Sequence, residues 1–506
     1  MSVYYSLIGA KSNEELPMNE LKTRAIVLAA GKATRFKTKK SKLLFNICGR
    51  TMILYPLKAL ESLGIPTTVI VGYQADQVKQ EIQLAQIKQT TFVEQLEQKG
   101  TGHAVACSAD TWDQENILIM SGDTPLVTSE HLRSLIFSHQ EAKSAITFVT
   151  TMVMDPTGYG RVIEEDARFQ IVEEKDCSAE QRRIIRVNAG IYIISREFLE
   201  KNITKITKSP VTGEMYLVDL IKMASDSGLA VQALSVPFDD VRGVNTLQEL
   251  WEVEQIKRSE LIKYWMMRGV RFELAQSIHL DIDVEIGAGS FIGTGVHLLR
   301  GTKIGEECFL GAFSILANSL VGDGSTVHSH SVIQDSSIGC NVHVGPFARI
   351  RENGIIGDNA EVGNFVELKN STVGDKSKAK HLSYIGDANI GSGVNIGAGT
   401  ITCNYDGAKK HKTIIEDNVF VGSNNTLVAP LHIGKESYTA AGSIITKDIP
   451  SESLAIGRAR QENKIGYARE LKEKLSKQKE SLDENDDSLF NFRGAVKTKS
   501  DQKEHA

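Results

Sequence analysis

The longest pattern in the chain has a period of six. Between residues 286 and 445 an aliphatic side chain returns every six positions, usually followed by glycine: Ile286-Gly287, Ile292-Gly293, Ile304-Gly305, Leu310-Gly311, then after slips Val344-Gly345, Ile356-Gly357, Val362-Gly363, Val421-Gly422 and Ile433-Gly434. Neither the helical period of about 3.6 nor the strand period of about 2 produces such a run. A sustained hexad predicts a left-handed parallel β-helix, in which each short strand sends one aliphatic residue inward and then turns a corner. Three hexads, roughly eighteen residues, close one triangular coil.

Ahead of the hexads the pattern changes. Short apolar runs at residues 25–30, 67–71, 117–120 and 145–149 alternate with helical patterns such as 54–63 and 130–137. Alternating strands and helices predict an α/β domain, a parallel Rossmann-like sheet with helices on both faces. Residues 247–269 then read as a linking helix, with Gly269 as its stop. The predicted organisation is a polar extension (1–22), an α/β domain (23–246), a helical linker (247–270), a β-helix (271–457) and a charged tail (458–506) that starts as a solvated helix and ends disordered.

Composition narrows the partners. The net charge of −5 over 506 residues argues against bulk binding to nucleic acid or a membrane surface. Six cysteines without C-x-x-C spacing favour reduced thiols in the cytoplasm, and no long apolar run predicts a membrane span. Asn13, Glu14 and Glu15 precede the first apolar run, unlike a signal peptide.

In α/β sheets ligands sit beyond the carboxyl ends of the strands, so those ends carry the first candidates. Leu28-Ala29-Ala30-Gly31 is a small-residue turn whose backbone N–H groups, with Arg35 and Lys42 nearby, suit a triphosphate. The same segment also reads as an ordinary strand-to-helix turn. Gln95, Gly100 and Thr101 sit where a base could be read. Asp123 caps the 117–120 strand, a usual place for a metal-binding carboxylate, or else a helix N-cap.

In the β-helix the hexad phase serves as a ruler. Arg351 and Lys369 fall one coil apart on one face, about 4.8 Å between strands, and two cations that close call for an anion such as a sugar phosphate. His381 suits the deprotonation of an amine near neutral pH, with Tyr384 and Asn395 on neighbouring coils. His328, His330 and His343 raise an inter-subunit zinc site, but exposed structural histidines fit better, because no carboxylate stands behind them. After Ile396 the next clear aliphatic in phase is Ile415, so the stretch from Thr400 to Gly407 begins a loop. Ser423 and Ala441 share one phase, leaving a shallow track for a pantetheine arm, with Arg458 beyond it for coenzyme phosphates.

The motifs LAAGKATR, EQLEQKGTGHA, GDTPL, DPTGYGR, IVEEKD, VNAGIY and GVN occur in order between residues 28 and 245, within a resemblance that runs from about residue 23 to 457. In these the chain resembles the bacterial bifunctional N-acetylglucosamine-1-phosphate uridyltransferase/glucosamine-1-phosphate acetyltransferases, the GlmU family, whose first domain is GT-A-like. The resemblance implies that Leu28, Ala29, Ala30, Gly31, Gln95, Gly100 and Thr101 hold UTP with Lys42 at the phosphates, and that Arg35 and Lys42 neutralise charge during transfer. It implies that Gly160, Glu173 and Asn188 bind the amino sugar and that Asp123 and Asn245 hold Mg²⁺. In the second half it implies that Arg351, Lys369, Tyr384 and Asn395 bind glucosamine 1-phosphate, that His381 is the general base, and that Ala398, Asn404, Tyr405, Ser423, Ala441 and Arg458 contact acetyl-CoA. It further implies a homotrimer with acetyltransfer sites between subunits. Two positions depart from the family: Ala33 where it usually has glycine, and Ser41 where it has proline. The expected activity is acetylation of glucosamine 1-phosphate followed by uridylyl transfer. The alternatives are an acetyltransferase with an impaired uridyltransferase half, and a non-catalytic nucleotide-sugar sensor or scaffold.

Overall fold

In the computed structural model, residues 21–32 and 34–490 are described. The expectations for residues 1–20, for Ala33 and for the tail beyond 490 lie outside them. The first domain is built on a sheet in the order Val231–Ser235, Ile146–Met152, Arg186–Ser195, Asn116–Ser121, Thr23–Ala29, Thr67–Val71 and Thr90–Glu94. The central strands are apolar on both sides because helices cover both faces, and two hydrophobic clusters form, one on each. The expected all-parallel sheet needs one correction. Arg186–Ser195 runs antiparallel to both of its neighbours, and it also pairs with the hairpin of Arg161–Glu165 and Arg168–Val172.

The helix Leu247–Met266 starts at a capping box, in which the Thr246 side chain accepts from the Glu249 N–H and Glu249 accepts from the Thr246 N–H. The chain leaves it at Gly269, whose φ of +88 needs glycine. Val253 packs into the core of the α/β sheet and Ile262 into that of the β-helix.

The hexads form three parallel sheets, which make the three faces of a left-handed β-helix. The first face runs from Arg271–Phe272 to Leu454–Ala455, the second from His279–Leu280 to Ile444–Ile445, and the third from Glu285–Ile286 to Leu431–Ile433. One residue of most strands points inward, two in Ala388–Ile390 and in Leu431–Ile433, and together they fill a continuous core. The slips in the pattern all fall at one corner, between the second face and the third. There the steps Leu316 to Val321, Ile333 to Ile338, Leu368 to Val373 and Ile385 to Ile390 shorten to five residues. The long loop sits at the same corner and is shorter than the pattern suggests. Thr402 takes the missing inward position, its hydroxyl accepting from the Gly386 N–H at 2.7 Å and donating to the Gly386 carbonyl at 3.0 Å. A helix, Tyr467–Phe490, follows the last coil. Among the described residues no helix is long and apolar enough to cross a membrane.

Candidate functional site

The strand ends of the α/β domain converge as their position predicts. Lys42 forms an ion pair with Asp123 and donates to Asn245 Oδ1 at 2.8 Å. Asp123 follows the strand Asn116–Ser121, and Asn245 precedes the linking helix. Glu249, which the sequence reading missed, fixes Asn245 by accepting its N–H at 2.6 Å. The Thr246-x-x-Glu249 spacing is the signal that could have found it. Two hard oxygens already hold one cationic group here, the Lys42 ammonium. A donor set of one carboxylate and one amide oxygen beside a phosphate site fits Mg²⁺, which completes its shell with water and substrate oxygens.

Beside this cluster lies a cleft of about 420 Å³ lined by Lys32, Gly72, Tyr73, Ala75, Glu94, Gln95, Leu96 and Gln98. Gln95 enters it, its amide bonded to the Gly100 carbonyl at 3.2 Å and to His103 Nδ1 at 3.0 Å. Gly100 has φ +105, and a Cβ there would meet the Met215 carbonyl, so the turn requires glycine. Thr101 accepts the Leu217 N–H, and Gln98 donates to the Ala30 carbonyl, tying the base-side loop to the Leu28–Gly31 turn.

Gly160, Glu173 and Asn188 meet on the far side. The Asn188 N–H donates to the Gly160 carbonyl at 2.9 Å, and the Glu173 carboxyl faces the bare Gly160. Burial, helped by Asp176, Glu214 and Asp219, pushes the Glu173 carboxyl up to about 7. Tyr159 is pushed up to about 12 by burial and by Glu249. Arg35 is exposed, and its guanidinium lies against Gly158 in the turn before Arg161.

On the β-helix, strand register sets Arg351 beside Lys369, one coil apart as the hexad ruler predicts. The anion their spacing calls for is, in the free chain, the side chain of Glu352, which pairs with Arg351 and lies 3.5 Å from Lys369 Nζ. Glu367 holds Arg351 Nε at 2.7 Å. Tyr384 leans along the second face over Gly386 toward this pair. Lys410, from the loop after Thr402, adds positive charge within electrostatic range of Lys369 and Asp387 and carried no signal in the hexad pattern. Asn395 stands apart from them, on the first face beside Lys378.

His381 lies at the corner between the first and second faces. Its Nδ1 is 2.7 Å from Asn364 Oδ1, a partner that register places beside it and that the hexad count had not singled out. The same corner carries Ala398, Ser423 and Ala441 on successive coils, with Gly397 against the Ser423 backbone and Gly422 against that of Ala441. Arg458 continues this line past Gly442. Asn404 and Tyr405 lie across the second face, where the buried Asn404 amide binds Asp387 and Tyr405 is exposed. Burial raises the Asp387 pKa, but the bonds from Asn370 and Asn404 outweigh it and hold the carboxyl below its ordinary range. A cavity of about 480 Å³ next to His381 is lined also by His328, His343, Glu361, Asn364 and Lys380.

Fold and sites together define a nucleotidyltransferase joined to a hexapeptide-repeat acetyltransferase. Residues 25–188 match the MobA-like NTP transferase domain, and residues 274–363 match the GMPPB C-terminal domain. The chain is 40% identical over 464 residues to the bifunctional protein GlmU of Koribacter versatilis, covering 90% of this chain and 98% of that protein. It is 40% identical to that of Alkaliphilus metalliredigens over 452 residues (88% and 98% of the two chains). It is 41% identical to that of Exiguobacterium sibiricum over 449 residues (88% and 99%). The chain belongs to the bifunctional GlmU family.

Proposed function

We propose that the chain acetylates glucosamine 1-phosphate and then joins the product to UTP, making UDP-N-acetylglucosamine and pyrophosphate for cell-envelope synthesis in the cytoplasm. The observation that carries this reading is that one chain holds two separate sets of converging groups, each of the chemistry its step requires.

In the acetyltransfer half, Arg351, Lys369 and Lys410 receive the sugar phosphate, displacing Glu352. With its Nδ1–H given to Asn364, His381 keeps Nε2 free to take a proton from the amine, which attacks the thioester carbonyl as coenzyme A thiolate leaves. The small residues Ala398, Ser423 and Ala441 leave room along the corner for the pantetheine arm, and Arg458 stands where coenzyme phosphates would reach. Because Asn395 lies on a different face from Arg351 and Lys369, a second copy is the natural source of the missing wall. The stacked, half-exposed rings of Phe313, His330, Phe347 and Phe365 run down the His381 corner and offer that copy an apolar seam. This supports a homotrimer. Light scattering on the purified chain tests it, and a monomer mass overturns it.

In the uridyltransfer half, Gln95, Gly100 and Thr101 take the base and the Leu28–Gly31 turn takes the phosphates. Gly160, Glu173 and Asn188 take the sugar. A phosphate oxygen of N-acetylglucosamine 1-phosphate attacks the α-phosphorus of UTP in line, and Lys42 and Arg35 offset charge on the departing pyrophosphate. Asp123 and Asn245 would hold Mg²⁺, which when bound neutralises phosphate charge. Ser41 keeps φ at −57, the value a proline would impose, so that departure leaves the backbone before Lys42 unchanged.

The test supplies glucosamine 1-phosphate, acetyl-CoA, UTP and Mg²⁺ and follows free thiol and pyrophosphate separately. Both are expected. Thiol alone would indicate an impaired uridyltransferase, and neither would indicate a sensor.

A further inference from the structure

The group that holds the backbone next to Lys42 comes from a different element. Gln74 ends the turn after the strand Thr67–Val71 and stands as N-cap of the helix Ala75–Leu84, with φ 55 and ψ 39. That left-handed conformation is strained for a residue other than glycine. Its side chain does not cap its own helix. It reaches instead to the phosphate loop, where Oε1 accepts the Ser41 N–H at 2.6 Å and Nε2 donates to the Lys39 carbonyl at 2.7 Å. The Tyr73 hydroxyl donates to the same carbonyl at 3.0 Å. Among the described residues, these are the hydrogen bonds that tie residues 37–41 to a segment distant in sequence. The next residue along is Lys42, gripped by Asp123 and Asn245. Gly72, Tyr73 and Ala75, which flank Gln74, also line the cleft entered by Gln95. One turn therefore touches both the base cleft and the backbone of the phosphate-binding lysine.

We propose that Gln74 is a positioning residue for uridylyl transfer, a carboxamide clamp on the backbone around Ser41 that fixes the Lys42 ammonium. The proposal rests on the uridyltransferase reading of this site. A carboxamide is suited to the task, since it offers one acceptor and two donors in one plane and can satisfy an N–H and a carbonyl of the same extended segment. The position of Ser41 makes the clamp necessary. A proline there would lock φ by its ring and would present no N–H to clamp. Ser41 reaches the same φ of −57 with a free N–H, which Gln74 takes. The hydrogen bond stands in for the ring, and the strained φ of Gln74 aims the side chain that makes it.

The experiment follows from that equivalence. Gln74→Gly removes the carboxamide and keeps the left-handed turn without strain. In full-length protein its kcat for pyrophosphate release is expected to fall about ten-fold, since small misplacement of a catalytic group is costly. KM for UTP should shift less than about three-fold, because Gln95 and the Leu28–Gly31 backbone are untouched. Thiol release from the other half serves as the reference and should not change. Adding Ser41→Pro to Gln74→Gly is expected to restore kcat to within about three-fold of the unaltered protein, a rescue that a general packing role would not show. A kcat in Gln74→Gly within about two-fold of the unaltered protein, or a defect that Ser41→Pro leaves in place, overturns the clamp. An unaltered protein that releases no pyrophosphate overturns the uridyltransferase reading instead, so the two failures are distinguishable.

Discussion

The α/β sheet and the β-helix build their sites by opposite means. In the sheet, Lys42, Asp123 and Asn245 come from three connections far apart in sequence: the strands before Lys42 and Asp123 are neighbours, and Asn245 joins them where the Val244 N–H donates to the Asp123 carbonyl. Each must then be held by a further group, Gln74 behind Ser41 and Glu249 behind Asn245. In the β-helix, stacking does that work. Arg351 lies beside Lys369, and Asn364 beside His381, because each is one coil from the other in a register that the inner column enforces. The sheet concentrates precision in side-chain contacts, whereas the helix draws it from the backbone. A site of the first kind should be sensitive to second contacts, and one of the second kind to the core beneath it.

The largest effect expected is at His381. His381→Ala should lower thiol release about 10³-fold, the scale of a lost general base, while pyrophosphate release from supplied N-acetylglucosamine 1-phosphate stays normal. Thiol release that survives the substitution would remove His381 from the mechanism. The mirror experiment is Lys42→Met, which should lower pyrophosphate release about 10²-fold and leave thiol release intact. If both activities fall in either variant, the two sites are not independent and the comparison fails.

A smaller effect tests the core beneath the helical site. Leu368, next to Lys369 and stacked on Ile350 one coil away, is fully buried in the inner column beneath the Arg351–Lys369 pair. Leu368→Ala should destabilise the β-helix by about 3 kcal/mol, through lost burial and the cavity left behind. Thermal inactivation of thiol release should then come at lower temperature than in the unaltered protein, with that of pyrophosphate release unmoved. Equal shifts in both would mean that the two cores, joined through Val253 and Ile262 of one helix, unfold together.

The same contrast explains what could be read from the chain. The hexads foretold the inward residues, and their phase paired Arg351 with Lys369 and aligned Ser423 with Ala441, because the inner column spaces the corners regularly. Strand ends likewise exposed Gly31, Gln95 and Asp123 as candidates. The direction of Arg186–Ser195 was hidden, since an apolar run reads the same forwards and backwards. Thr402 was hidden because a hydroxyl that bonds Gly386 on both sides fills an inward position without looking aliphatic. Gln74 was hidden because its partner, a backbone N–H thirty-three residues away, carries no sequence signal.

The smallest effect, and the one most particular to the sheet, concerns Glu173. Burial and the nearby Asp176, Glu214 and Asp219 hold its carboxyl at about 7 in the folded chain, against 4.5 when free. The folded state therefore binds this proton more tightly than the unfolded one. Its contribution to stability is present below pH 4.5 and is lost as pH rises to about 7, where it levels off. Function should run the other way, since the ionised carboxylate is the stronger acceptor of hydrogen bonds from sugar hydroxyls. KM for N-acetylglucosamine 1-phosphate should fall a few-fold between about pH 6 and 8, as Glu173 gives up its proton. Glu173→Gln should flatten that profile, raise the melting temperature of the α/β domain at pH 8, and leave acetyl transfer unchanged. A KM that still falls with pH in Glu173→Gln would move the titration to another group, and an unchanged melting temperature would mean that ionised Glu173 is not strained by its surroundings.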